Sequence, residues 1–246
     1  MIISISRRFI FVHLHKCGGE SIETTLAPHL TVNDFLNGAS ASVIQPWETE
    51  MMLDRLVGLN KHASAREIRQ RLGGLYDAFF SFATVRRPER RIYSLYSFCI
   101  GLVRQSPGLC ALLGEDLVQT AYWPVLTGTL YDRLGLTAAT IGPALASGRI
   151  PPEAAFLQTE AIFTYSALLG ALQSSDFATF IRHPDTRRDP AFATQWSMVS
   201  DDAGACILTR VVRLEEIDRD WPEVAARLQV GQLAVRHNAS DYAGVP

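Results

Sequence analysis

The stretch that decides the fold is FIFVHLHKCGGES, residues 9–21. Its first half is apolar and rich in aromatic and aliphatic side chains, which predicts a buried strand over Arg8–Leu14. Gly18-Gly19 then ends the strand, and a helix is expected to begin near Ser21. The free N–H groups of a helix start converge on one point, where Lys16 adds a positive charge. The pattern is typical of an anion-binding turn, although an ordinary strand-to-helix connection has the same appearance.

A second strand-to-helix pattern, FSFATVRRPERRIYSLY, occupies residues 80–96. Ala78–Val85 is apolar enough to be a second buried strand, and Pro88 stands where a helix can begin. Arg86 follows the strand directly, and Ser94 comes about two turns into the helix. Both side chains can contact one anion, because α/β proteins bind ligands at the carboxyl edge of their parallel strands. The two patterns together predict a ligand with two separated anionic groups.

The composition suits one globular domain. The chain has 246 residues, of which 48% are hydrophobic and 20% charged, so a single domain over residues 1–246 is expected, with a helical insertion at about 105–195. The net charge of −2 argues against broad electrostatic binding of nucleic acid. An anion site must therefore be a local cluster of lysine and arginine.

The chain has no run of apolar residues long enough for a membrane span, and the apolar run after Arg7-Arg8 is too short for a secretory leader. Its four cysteines form no CxxC pair and no dense cluster. A disulfide or zinc framework is therefore not expected, and a reducing cytoplasm is the predicted setting.

The remaining elements follow from periodicity and chain breakers. Ser64 and Glu67 have the spacing of a capping box, and Gly73 follows the helix that this box would begin. The other predicted elements are a helix over Ala63–Leu72, a strand over Ile207–Leu214, a helix over Trp221–Leu228 and a charged loop over Pro184–Pro190. This alternation predicts a three-layer α/β fold, in which helices flank a central, mainly parallel sheet.

These patterns resemble the motifs of the sulfotransferases that use 3′-phosphoadenosine-5′-phosphosulfate (PAPS). The first motif of that family, approximately Pro-Lys-Thr-Gly-Gly-Thr-Ser, corresponds to HKCGGES at residues 15–21. The second, approximately Val-Arg-Asn-Pro-x-x-Arg-x-x-Ser-x-Tyr, corresponds to VRRPERRIYSLY at residues 85–96. The segment HASAR at residues 62–66 is similar to a segment of the bacterial, carbohydrate-type branch, as are VRLEEI at residues 212–217 and HNAS at residues 237–240.

The resemblance implies a P-loop-like loop for the 5′-phosphosulfate. Its members would be Lys16, Cys17, Gly18, Gly19, Glu20 and Ser21. Arg86 and Ser94 would bind the 3′-phosphate. The protein would then be an enzyme, a sulfotransferase that needs no metal and transfers a sulfuryl group from PAPS to a hydroxyl of a carbohydrate or glycoconjugate. Lys16 would be catalytic, because positive charge is needed where negative charge builds.

His62 is the candidate base for the acceptor hydroxyl. It stands in the segment that resembles the family, and histidine titrates in a suitable pH range. Glu67 is an alternative base, and a structural role for His62 is also open.

Other functions remain open for the same residues. His15, Cys17 and Glu20 depart from the family's proline and two threonines, so the chain could be a catalytically weak nucleotide-binding module. A P-loop kinase or NTPase would need its lysine after the glycines rather than before them. His13 and His15 could begin a metal site, but no third ligand stands at a suggestive spacing. Cys17 at a helix start could be a nucleophile, but no base to activate it is evident.

Overall fold

The computed structural model describes residues 1–37, 58–104, 114–116, 144, 147 and 166–233. The chain divides into two compact units. The first consists of residues 1–91 and 194–243, the second of residues 92–193 and 244–246. Most of the predicted helical insertion lies outside the described residues. The single domain and its insertion stay predictions.

The first unit is built on a five-stranded sheet. Its strands are β1 (Ile2–Ser4), β2 (Phe9–Val12), β3 (Phe35–Leu36), β4 (Phe80–Val85) and β5 (Arg210–Arg213), in the order β3-β1-β2-β4-β5. β2, β4 and β5 are parallel, whereas β1 is antiparallel to both of its neighbours. The predicted α/β class is confirmed. The prediction of a mainly parallel sheet is borne out only in part, because the sheet is mixed.

The antiparallel edge arises from a short hairpin that the sequence patterns did not reveal. Arg8, at the end of its turn, has a φ of 58°, and the Arg7 amide donates to Ser4 Oγ at 3.2 Å. Asp34 ties the hairpin to β3, since its carboxylate accepts hydrogen bonds from Ser4 Oγ at 3.0 Å and from the Ser6 amide at 2.9 Å. A strand of three residues is too short to show an alternating pattern.

Nine helices are described. In chain order they are α1 (Gly19–Leu26), α2 (Ala65–Leu72), α3 (Gly74–Ala78), α4 (Pro88–Arg104), α5 (Ala167–Leu172), α6 (Phe177–Arg182), α7 (Pro184–Arg188), α8 (Gln195–Val199) and α9 (Ile217–Leu228). The capping box predicted for α2 is confirmed, with the Glu67 amide donating to Ser64 Oγ and the Glu67 carboxylate accepting from the Ser64 amide. Gly73 ends that helix as predicted.

The sheet of the first unit buries both of its faces. Phe9, Phe11 and Phe82 pack with residues of α1 and α9 on one face. Ile10, Val12 and Ala83 pack with residues of α2, α3 and α8 on the other. Because successive side chains of a strand point to opposite faces, an apolar run such as FIFV at β2 supplies both cores.

The charged loop predicted at Pro184–Pro190 is wrong, because this segment forms α7 in the second unit. His183 caps the helix, its Nδ1 accepting from the Asp185 amide at 3.2 Å. Pro184 occupies the first turn, and Arg187 and Arg188 lie in the last. Proline at a helix start and cations at a helix end are both favourable, so these residues are helix signals rather than loop signals.

Candidate anion-binding site

The carboxyl ends of the three parallel strands carry the predicted site. β2 leads into residues 13–18, β4 into Arg86 and Arg87, and β5 into the short helical turn Leu214–Glu216. Parallel strands end at one edge of a sheet, so these three connections lie side by side, which is where α/β proteins bind ligands. The predicted strands that position Lys16 and Arg86 are confirmed.

The first connection contains two residues in the left-handed region. Lys16 has a φ of 60° and Gly18 a φ of 74°, and Gly18 is the N-cap residue of α1. Alternating φ signs turn successive N–H groups toward one side of the backbone, which forms an anion-binding concavity. The helix that follows adds its positive dipole end at the same place.

Both glycines of this loop are required by their surroundings. A Cβ at Gly19 would lie 2.1 Å from Nε2 and Cδ2 of His13, and a Cβ at Gly18 would lie 2.8 Å from Cδ1 of Leu214. Neither contact is possible without displacing the neighbour. The backbone of Gly18 and Gly19 therefore packs directly on the side chains of Leu214 and His13.

Arg86 connects the second loop to the first. Its Nη1 donates to the carbonyl oxygen of Lys16 at 3.3 Å, so the two sequence motifs meet in the structure. Burial lowers the pKa of the Arg86 guanidinium, while Glu215 opposes that effect. A charge that is partly removed from water favours a bound anion nearby, because the anion compensates for the lost hydration.

Sequence reasoning did not predict the contacts that Gln195 makes in the site. Its side-chain amide pairs with the Arg86 backbone, since Oε1 accepts from the Arg86 N–H at 2.8 Å and Nε2 donates to the Arg86 carbonyl at 2.7 Å. The Cys17 thiol donates to the same Oε1 at 3.1 Å. One amide thus holds both anion loops, although the chain separates it from Arg86 by 109 residues.

Cys17 faces the protein interior rather than the loop's open side. Besides Gln195, its Sγ contacts the carbonyl oxygen of His15 at 3.3 Å. Burial raises the pKa of the Cys17 thiol to about 12. The thiol is therefore protonated at neutral pH and unsuited to nucleophilic attack. Any contact of Cys17 with a ligand would come from its backbone.

Three histidines cluster beside the loop. The rings of His15 and His62 are stacked with centroids 3.6 Å apart, and the ring of His13 meets His62 edge-on at 4.7 Å. His62 Nδ1 lies 2.8 Å from the carbonyl oxygen of His13. A carbonyl can only accept, so Nδ1 carries the hydrogen and Nε2 of His62 keeps its lone pair. That lone pair is what a proton acceptor needs.

Burial and positive charge keep these rings neutral. Burial, together with Arg91, Lys16 and Lys61, lowers the pKa of His15 to about 4. The pKa of His62 is lowered far below its ordinary value, chiefly by burial and by its neighbouring histidines. The cations that act on this cluster make its surroundings electropositive, which again favours an anion at the loop.

The remaining predicted residues have varied positions. Glu20 and Ser21 lie in the first turn of α1, where the helix dipole favours the Glu20 carboxylate. Glu67 accepts from the Ser64 amide and hydroxyl, each at 2.7 Å, and so serves its helix cap. Ser94 is buried on α4, in the second unit. Its pairing with Arg86 stays a prediction.

Among the described residues, no group of three or more His, Cys, Asp or Glu side chains is placed to hold a metal ion.

An open groove of about 760 Å³ lies at the opposite edge of the sheet, lined by Arg7, Arg8 and Arg227 among others. Arg7 donates to the carbonyl oxygens of His29 at 3.0 Å and Leu228 at 2.7 Å. Arg227 lies over the ring of Phe80, 6.0 Å from its centroid. Arg7 therefore compensates part of the negative dipole charge at the carboxyl end of α9.

Comparison with known proteins gives no match, whether with protein families, curated sequences or solved structures. In the parts of the chain that the structure describes, no helix is both long and apolar enough to cross a membrane.

Proposed function

We propose that the protein is a PAPS-dependent sulfotransferase whose loop at residues 16–21 binds the 5′-phosphosulfate of the donor. The observation that carries the proposal is the contact of Arg86 with the Lys16 carbonyl at 3.3 Å. It joins the two motifs that resemble the sulfotransferase family at one edge of the sheet. A ligand with two anionic groups is the chemistry that such a pair of loops fits.

The residues present fit this donor. Gly18 has a φ of 74° and caps the start of α1, a geometry that leaves the N–H groups of the first helical turn available to a phosphate. Arg86 offers a half-buried guanidinium, whose planar donors suit a phosphate. Arg91, which is 6% exposed, is a buried positive charge that acts on His15. On the resemblance to the family, Arg86 would bind the 3′-phosphate.

The donor supplies an activated sulfuryl group and leaves as adenosine 3′,5′-bisphosphate. Lys16 and the loop N–H groups would stabilise the negative charge that builds on the leaving phosphate oxygen. His62 Nε2 would accept the proton of the acceptor hydroxyl as its oxygen bonds to sulfur and the bond from sulfur to the phosphate oxygen breaks. The products are a sulfate ester and adenosine 3′,5′-bisphosphate, and the proton is released from His62 in a later step.

The low pKa of His62 makes it a weak base before ligands bind. A bound anion supplies negative charge beside the cluster and raises that pKa. A donor would therefore strengthen the base when it is needed. The acceptor is proposed to be a carbohydrate or glycoconjugate hydroxyl, on the resemblance to the carbohydrate-type branch.

Calorimetry with adenosine 3′,5′-bisphosphate tests donor binding. Arg86→Ala should bind about 10- to 100-fold more weakly than wild type, because a charge-assisted hydrogen bond contributes about 1.5–3 kcal/mol. Arg69→Ala is the matched control, since Arg69 on α2 is also half-buried and is paired with Asp77. No binding of this nucleotide to the wild-type protein overturns the proposal.

Transfer of label from PAPS to a panel of hydroxylated acceptors tests catalysis. Transfer should be lost in Lys16→Ala, and His62→Ala should lose transfer while it keeps nucleotide affinity. Binding without transfer to any acceptor would favour a catalytically weak nucleotide-binding module. Activity that instead needs ATP and magnesium would favour a kinase.

A further inference from the structure

A buried acid-histidine pair lies directly beneath the anion loop. Glu23 on α1 is 0% exposed and His13 at the end of β2 is 5% exposed. His13 Nδ1 is 2.7 Å from Glu23 Oε1. A carboxylate oxygen accepts, so Nδ1 of the neutral ring carries the hydrogen and Nε2 keeps the lone pair. Nothing in the family resemblance assigns a role to either residue.

The groups that face this pair come from several elements. Lys61 Nζ lies 3.8 Å from Glu23 Oε2, and the amino nitrogen of Met1 lies 2.6 Å from Oε1. The pKa of the His13 ring is lowered well below its ordinary value, chiefly by burial. The nearby Met1 amino group, Lys61, His15 and Lys16 lower it further. His13 is therefore neutral, while the Met1 amino group and Lys61 lie beside the Glu23 carboxyl group.

His13 makes two further contacts, and each reaches a part of the proposed site. Its ring occupies the space beside Gly19, with Nε2 and Cδ2 at 2.1 Å from the position of a Cβ there. Its carbonyl oxygen accepts from His62 Nδ1 at 2.8 Å. The residue thus supports the anion loop with its side chain and orients the candidate base with its backbone.

We propose that His13 is a positioning residue of the site, whose ring is held by Glu23 in one tautomer and orientation, against both the phosphosulfate-binding loop and the ring of His62. This inference rests on the proposed function for the identity of the donor. Its physical logic is that of a buried carboxylate that sets the tautomer and orientation of an imidazole.

A purely structural pair would have different consequences. Removing one partner of a buried hydrogen-bonded pair destabilises the fold, because the other polar group is left buried without its partner. Losing such a pair would lower the thermal midpoint and the folded fraction, but the folded molecules would bind nucleotide normally. A positioning pair changes the affinity and turnover of the folded molecules themselves, because small displacements of reacting groups slow catalysis strongly.

The first measurement is nitrogen NMR of the wild-type protein with labelled histidine, without ligand. His13 and His62 should both show the Nδ1–H tautomer, which is the less common form of free histidine in water. A His13 ring with its hydrogen on Nε2 would overturn the proposal. This measurement needs neither PAPS nor a variant, so it is independent of the proposed function.

The second measurement compares two conservative variants, Glu23→Gln and His13→Asn. A glutamine keeps an oxygen that can accept from His13, and an asparagine amide can donate to Glu23 from near the position of Nδ1. Matched controls are Glu223→Gln, at an exposed carboxylate on α9, and His29→Asn, at the opposite edge of the sheet. Adenosine 3′,5′-bisphosphate affinity, the kcat and KM of transfer, and the thermal midpoint are measured for all of them.

His13→Asn removes the ring that packs beside Gly19. At equal folded fraction, this variant should show a nucleotide affinity and a kcat about 10- to 100-fold lower than the controls. This is the effect expected when reacting groups are displaced by about 1 Å. Glu23→Gln should show a smaller loss and a mixed His13 tautomer. Variants that match the controls in affinity and kcat would overturn the positioning role of His13. Binding of the nucleotide to the wild-type protein in the same experiment would leave the proposed function intact. A wild type that binds no nucleotide overturns the proposed function instead.

Discussion

Replacing Gly19 by alanine gives a direct measure of how tightly the anion loop packs on His13. The added Cβ would stand 2.1 Å from Cδ2 and Nε2 of His13 and 2.7 Å from Cε1. Carbon atoms in contact normally lie about 3.5–4.0 Å apart, so the ring or the loop must move by more than 1 Å. The ring cannot move freely, because Nδ1 is hydrogen-bonded to the buried Glu23 at 2.7 Å.

The size of the effect follows from these contacts. Overpacking a well-packed site costs about 1–3 kcal/mol, and disturbing a hydrogen bond to a charged group costs about 1.5–3 kcal/mol. Gly19→Ala should therefore lower the free energy of unfolding by about 3 kcal/mol or more. Gly18→Ala should lower it less, by about 1–2 kcal/mol for a left-handed residue, since the side chain that it meets, Leu214, is flexible.

Denaturant unfolding is the assay, with Gly74→Ala as the matched control. A Cβ at Gly74, the first residue of α3, meets no atom within 4 Å. That variant should be neutral or more stable by up to about 1 kcal/mol, because alanine reduces the entropy of the unfolded chain. If Gly19→Ala unfolds with the same free energy as Gly74→Ala, the packing of the loop on His13 is refuted.

Three further predictions concern the surroundings of the loop. Gln195→Ala leaves the Arg86 N–H and carbonyl without this amide, so denaturant unfolding should show a loss of about 1–3 kcal/mol, whereas Gln195→Glu should lose less if its carboxylate still accepts from the Arg86 N–H. The pKa of His15 is about 4 in the folded protein, against about 6.5 in an unfolded chain. Between pH 6.5 and 4, the unfolded chain therefore binds a proton at this residue that the folded chain does not bind. Stability should fall as pH falls through that range, by about 3 kcal/mol from this residue, and a pH series of His15→Gln that keeps the wild-type slope would contradict this. Peptide mapping after alkylation at pH 8 should find exposed Cys206 modified and buried Cys17 protected, and equal labelling of the two would show that the thiol is accessible.

Local sequence signals predicted the helices and strands whose own residues follow a regular pattern. β2 and β4 were predicted because each is an apolar run bounded by glycine or proline, and α2 because Ser64 and Glu67 stand at capping-box spacing. β1 was missed because three residues carry no period, and its antiparallel pairing depends on a hairpin turn at Arg8. The charged residues of α7 led to the wrong prediction of a loop. Arginines near a helix end indicate a helix only where the helix itself has already been recognised.

The candidate site was predictable only where its residues are neighbours in the chain. Lys16 and the glycines stand in one motif, and Arg86 follows a recognisable strand. Gln195 gave no comparable signal, since its function depends on folding across 109 residues to reach Arg86. The Glu23 pairing was equally hidden. At ten residues from His13 it has no spacing rule, because one partner ends a strand and the other lies on a helix.

Lys16 shows why the two loops should be considered one unit. A lysine with a φ of 60° is strained by about 1–2 kcal/mol relative to ordinary backbone, and this residue stands where a glycine would be easier to accommodate. The Arg86 side chain donates to the Lys16 carbonyl, and Gln195 fixes both Arg86 and Cys17, so the strained conformation is held from two sides. Strain that the surroundings maintain is typical of functional sites. Changes at Lys16 and Arg86 therefore act on a shared structure, and their effects on anion binding should not add as those of independent residues do.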